Sequence, residues 1–136
     1  MTLRNDLIQS AIIAYLKTKT TILAELPYDE EIREDQWQGR EFHYPNIRVR
    51  LTSLIPQGSQ DCNLAVINLS ILVYSEKSSS YEADEIAGII SSVLHATQFT
   101  HQSINFGLWT TNIIPAIRSE INVWRSEVLM NGIVSG

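Results

Sequence analysis

The chain has 136 residues, enough for one domain that buries about 70% of its unfolded surface, and its lone cysteine, Cys62, excludes an internal disulfide. Its apolar fraction of 44% suits a globular protein, and no apolar run approaches the ~20 residues of a membrane span. The net charge of −5 resides in residues 25–41, where Glu25, Asp29, Glu30, Glu31, Glu34, Asp35 and Glu41 face only Arg33 and Arg40; the rest is balanced, and no Lys/Arg stripe offers a phosphate-binding surface.

The start of the chain lacks a basic region followed by an apolar one, so no secretory signal is expected. Thr2 or Asn5 can cap a first helix running to about Leu23, because Leu7, Ile8, Ala11, Ile12, Tyr15 and Leu16 recur at three- and four-residue spacing. Residues 25–45 then read as an extended arm, acidic and aromatic, ending at Tyr44-Pro45. Proline has no N–H and biases the residue before it toward extended backbone. A segment this long without a catalytic signature is read as one that docks on a neighbour.

Ile47, Val49 and Leu51 alternate with Arg48, Arg50 and Thr52, the period of a half-buried strand, and Pro56-Gln57-Gly58-Ser59 is turn chemistry. Asn63–Tyr74 is the strongest strand signal, with Ala65, Ile67, Leu69, Ile71 and Val73 forming one apolar face. Ser79 and Glu82 have the spacing of a capping box, which predicts a second helix running to about Ala96 with His95 in its last turn. Leu108–Arg118 reads as a strand that Pro115 confines to an edge or a bulge. Ile121–Leu129 reads as another strand, with Trp124 in the core, and Asn131-Gly132 marks a turn or bulge. The expected class is α+β: a mostly antiparallel sheet of about four strands, two helices on one face, and the long arm between the first helix and the first strand.

Chemistry is sparse. There is no GxGxxG, P-loop or GxSxG pattern, and His43, His95 and His101 lack zinc-ligand spacing. Glu30-Glu31 and Glu34-Asp35 are oxygen donors of the kind divalent cations take, but no lysine lies between Lys19 and Lys77, and a solvated or salt-bridged cluster is the ordinary reading. No catalytic, metal or cofactor role is therefore assigned, and no enzyme activity is expected. The remaining candidates are contact residues. Trp37, Arg40, Phe42 and Tyr44 put aromatic and arginine side chains, the types enriched at interface hot spots, within eight residues. Glu30, Glu31, Glu34 and Asp35 supply charge beside them. Arg48 and Arg50 form a patch that either receives such an arm or pairs with acids of its own chain.

Several stretches together resemble a phage tail terminator (tail completion) protein: Phe42-His-Tyr-Pro-Asn-Ile-Arg-Val49, Ile67-Asn-Leu-Ser-Ile-Leu-Val-Tyr-Ser75, Glu82-Ala-Asp-Glu-Ile-Ala-Gly-Ile-Ile90, Pro115-Ala-Ile-Arg118 and Trp124-Arg-Ser-Glu-Val-Leu129. The resemblance implies a virion protein, assembled in the host cytoplasm, that forms a homo-hexameric ring capping the tail tube. The implied partners are the tail tube protein, a neck or head-closure protein and, in contractile tails, the sheath, with DNA passing through an acidic lumen unbound. A neck ring (head-closure or adaptor protein) has similar texture. A carboxylate-dependent enzyme and a small-molecule binding module are the alternatives of other classes.

Overall fold

The computed structural model describes residues 3–57 and 63–136. The Thr2 cap, the Gly58-Ser59 part of the turn and Cys62 lie outside the described residues. Helix α1 spans Asn5–Leu16 and a one-turn helix α2 spans Thr20–Leu23. The first helix thus stops seven residues before the expected Leu23. The break falls at residues 17–19, where the Thr18 hydroxyl competes for a backbone group: Thr18 Oγ1 donates to the Tyr15 carbonyl at 2.6 Å.

A 3₁₀ turn at Asp29–Glu31 leads into β1 (Ile32–Glu34), followed by β2 (Asn46–Pro56), β3 (Leu64–Ser75), α3 (Tyr81–Leu94), β4 (Thr97–His101), β5 (Ile104–Glu120) and β6 (Val123–Ser135). The strands form one mixed, curled sheet in the order β1-β2-β3-β6-β5-β4. This corrects the expected antiparallel sheet of about four strands. β1 is too short to show any alternation and lies within the acidic segment. It pairs parallel to β2 because residues 35–45 carry the chain back to β2's starting end. β4 begins directly after the expected helix end at about Ala96, in a stretch where no element is expected. It joins β5 through Gln102-Ser103, both at positive φ (48° and 67°), as a tight hairpin needs, without the Asn-Gly pair that would announce one.

The alternation of β3 sets the core. Ala65, Ile67, Leu69, Ile71 and Val73 are all buried and meet Ile8, Ile12 and Leu16 of α1 and Ile86, Ile90 and Leu94 of α3. Each fully buried Ile or Leu contributes roughly 1.5–3 kcal/mol relative to leaving it exposed. Tyr15, Phe99 and Phe106 stack in series, with centroids 3.8 and 4.6 Å apart, and tie the end of α1 to β4 and β5.

Two local expectations also change. Ser80, not Ser79, caps α3 without a side-chain bond, and Glu82 accepts instead from Ser75 Oγ at 2.8 Å. Gly132 is no turn: it lies inside β6, paired with Ile67 and Leu108. Pro115 lies where β5 slips register between Ile114 and Ile117, beyond the reach of β4. His95 follows the last turn of α3, and its Nδ1 accepts the Thr110 N–H at 2.9 Å. Trp124 is half-buried against the core, with the Arg118 guanidinium 5.2 Å from its ring.

Candidate functional site

The acidic segment folds around one residue absent from the expected contact set, Arg33. Because Ile32 packs into the core, the alternation of β1 turns Arg33 to the opposite, helix-free side of the sheet, next to Arg48 in register. Two positive side chains there need anions or aromatic faces, and the loop supplies both. Arg33 Nε donates to the Glu30 carbonyl at 2.5 Å, Nη1 to the Arg40 carbonyl at 2.6 Å, and Nη2 to Glu31 Oε1 at 3.2 Å. Its guanidinium also lies 5.3 Å from the Trp37 ring centroid and 4.6 Å from that of Phe42. Phe42 in turn lies 4.3 Å from the Arg48 guanidinium, which sits 3.9 Å from the Tyr74 ring. The result is a layered stack of alternating cations and rings, each step worth roughly 0.5–2 kcal/mol depending on its exposure.

Glu31 is the anion of this assembly and is fully buried. Besides Arg33 it accepts the His43 N–H at 3.0 Å and contacts His43 Nδ1 at 2.9 Å. A carboxylate only accepts, so Nδ1 carries the proton in that contact. One carboxylate therefore pins both ends of the 33–43 loop, and it is satisfied by these bonds rather than turned toward solvent.

The other predicted residues divide into two groups. Glu30 pairs with Arg40 at 2.8 Å on the surface, and this bond holds the Glu30 carboxylate below its ordinary range. Trp37 is 46% exposed; its Nε1–H donates to the Arg40 carbonyl at 2.9 Å and its ring lies over Gly39. Tyr44 packs on Leu72, Tyr74 and Val123, and burial pushes its hydroxyl up against the opposing pull of Arg48. Trp37, Arg40, Phe42, Tyr44 and Arg48 therefore form one continuous surface. Asp35 and Arg50 do not join it: they face a separate depression beside Asp6 and Gln9 of α1, while Glu34 lines both that depression and the groove shared with Trp37 and Arg40. Arg33 and His43 were missed as contact residues. A lone base inside an acidic run with aromatics following it is the signal that marks Arg33.

A second surface lies at the other end of the helix-free face. Ile55, Val66, Ile133 and Gly107 are consecutive in register across β2, β3, β6 and β5, and Ile55, Ile133, Leu64 and Trp109 are exposed apolar side chains there. Among the described residues, no group of three or more His, Cys, Asp or Glu is placed to hold a metal ion.

No family model and no curated protein matches this chain. Solved structures do. A chain of the virion of a native gene transfer agent (GTA) particle aligns with a TM-score of 0.69 at 18% identity, covering 94% of this chain and 94% of its own. A second solved chain aligns with a TM-score of 0.62 at 10% identity, covering 98% of this chain and 96% of its own. The fold is shared. At these identities the likeness is one of architecture, end to end and without a large insertion.

Proposed function

We propose that this chain is a structural component of a phage-like particle and, within it, a tail terminator. In this reading it forms a hexameric ring that ends tube growth and joins the tail to the neck. The observation that carries it is the end-to-end likeness in fold to a chain of a GTA virion, over 94% of both chains. The exposed Ile55, Trp109 and Ile133 support it, because contiguous apolar surface on a domain of this size calls for a partner, and Trp37 adds a separate exposed aromatic on the loop. The buried pairing of Glu31 with Arg33 and His43 gives that carboxylate a structural task and so weighs against a carboxylate-dependent enzyme.

The expected result is a closed ring of six copies, formed by the purified protein alone or on tail tube ends, seen by light scattering coupled to gel filtration and by electron microscopy. A strict monomer that never decorates a tube end would overturn the proposal. Decoration of a head or neck assembly with bare tube ends would favour the neck-ring reading.

Trp37 gives a second expectation. Trp37→Ala should weaken assembly by on the order of 2 kcal/mol, as for an aromatic anchor at the centre of an interface. Circular dichroism should show the monomer still folded, since Arg33 keeps its bonds to Glu31 and to the Glu30 and Arg40 carbonyls. Assembly at wild-type concentration would mean that Trp37 serves only its own loop.

A further inference from the structure

Among the described residues the sheet ends in two edges that no further strand covers completely, and they differ in kind. At one end of the strand order, β1 is paired, among the described residues, only to β2. The Asp35 N–H reaches the Val49 carbonyl at 3.0 Å, so strand alternation turns the backbone groups of Arg33 toward β2 and those of Ile32 and Glu34 away from it. The Glu34 carbonyl already accepts the Trp37 N–H at 3.3 Å, so an added strand pairs chiefly with the Ile32 groups and the Glu34 N–H. Beside that outward edge runs an open groove of about 510 Å³. Ile13 of α1 and Lys17 just past its end wall it on one side, and Trp37 and Arg40 of the loop on the other.

At the opposite end, β4 covers β5 only over Ile104–Leu108. Trp109–Ile114 pair with β6 on one side and, among the described residues, with no strand on the other. The Thr110 N–H is already held by His95 Nδ1 at 2.9 Å and its hydroxyl lies 3.0 Å from Ser91 Oγ, so an added strand pairs beyond Thr110 or displaces His95. Soluble proteins commonly blunt such an edge with charge. Here, from Ile86 to Ile117, the chain contains no Asp, Glu, Lys or Arg, and the Asp84 carboxylate of α3 caps the edge further along, at the Ala116 N–H, 2.7 Å away. Pro115 and the register slip around it confine open pairing to the short stretch before them. Ile113 is in register with the core residue Val128, so it points to the helix side of the sheet, yet it is 40% exposed.

We propose that Trp109–Ile114 of one copy adds as a strand to the Ile32–Glu34 edge of the next, seated in the groove between α1 and the 37–40 loop. This deepens the ring reading above and rests on it. Strand direction favours a second copy as the occupant. β2, β3, β6 and β5 are antiparallel in succession, so β5 runs opposite to β2 and therefore opposite to β1, which is parallel to β2. Continuing the sheet in one orientation from copy to copy thus brings β5 beside β1 as an antiparallel pair, the more stable kind. The two edges are unlike, so each copy donates with one and accepts with the other. That is the heterologous contact from which rings are built. In this seat Ile113 enters the groove beside Ile13, and Trp37 flanks the added strand.

Hydrogen exchange on the ring and on the dissociated protein tests the seat. Amides in 32–34 and in 109–114 should both slow by about tenfold or more on assembly. Ile113→Lys, an inward-pointing charge on the edge, should raise the concentration needed for assembly by about tenfold or more while the monomer stays folded. In a Cys62→Ser background, Lys17→Cys with Ile113→Cys should give a ladder of disulfide-linked copies on a non-reducing gel. A ring whose two segments exchange as fast as in the monomer, and which Ile113→Lys leaves intact, overturns the seat while the ring reading stands. Slowed exchange in 109–114 alone, in a two-copy particle, would mean that β5 pairs with another β5 and would overturn it too. A chain that never assembles fails the ring reading, and this inference falls with it.

Discussion

Replacing Glu31 by alanine is expected to cost about 3–5 kcal/mol of folding stability, the range for removing one partner of a buried ion pair. Glu31 is fully buried and the Arg33 side chain nearly so, with an Nη2–Oε1 distance of 3.2 Å. Without the carboxylate, Arg33 keeps its two carbonyl partners and its aromatic faces but no anion, and the His43 N–H and Nδ1 lose their acceptor. Glu31→Gln should cost less, because an amide oxygen can still accept while the charge is gone. Replacing the pair together, as Glu31→Leu with Arg33→Met, should be milder than Glu31→Ala alone, since no unpaired charge is left behind. Urea denaturation of the three variants under dissociating conditions checks the order. If Glu31→Ala unfolds at the wild-type midpoint, the carboxylate does not organise the loop. This burial also separates Glu31 from its acidic neighbours: Glu30 and Glu34 are at the surface, where charge reversal acts on encounter with a partner rather than on the fold.

What the sequence made legible follows the length of each pattern. β3 keeps an apolar residue at every second position from Ala65 to Val73 and α3 repeats its apolar spacing over fourteen residues, so both can be read directly. β1, at three residues, is shorter than any period and is strung through acids that composition assigns to solvent. β4 alternates, with Thr97, Phe99 and His101 half-buried, but its five residues carry a single large apolar side chain, Phe99, and so give no strand signal between the expected helix end at Ala96 and the strand expected from Leu108. Those two omissions account for the wrong strand count and for the missed parallel pair. The contact residues were partly legible for a similar reason. Trp37, Phe42 and Tyr44 stand out as aromatics in a polar stretch, whereas Arg33 looks like one more surface charge until β1 turns it toward the loop. Its burial is a tertiary property, set by Ile32 packing inward and not by anything local to the acidic run.

Gly132 provides the second large effect, and it contrasts two glycines that lie close together on adjacent strands. A Cβ at Gly132 would stand 2.5 Å from Leu108 Cδ2, 3.0 Å from the Gly107 carbonyl oxygen and 3.1 Å from Ile67 Cγ1. The leucine methyl can swing aside, but the carbonyl belongs to β5's backbone and Ile67 is fully buried in the β3 face, so neither gives way cheaply. Gly132→Ala should therefore destabilise by about 1–3 kcal/mol through overpacking, and Gly132→Val, with two more methyl groups aimed into the core, by about 3 kcal/mol or more. Gly107 is in register with Ile133, on the helix-free side, and a Cβ there would meet only the Ile133 carbonyl oxygen at 4.0 Å. Gly107→Ala should stay within about 0.5 kcal/mol of wild type, as for substitutions that touch nothing. The two variants differ in face and not in strand propensity, so a difference in urea midpoint between them reads packing alone. Equal midpoints would mean that Leu108 and Ile67 are looser than their burial implies, and that the small residue in the run Asn131-Gly132 marks something other than room for Leu108.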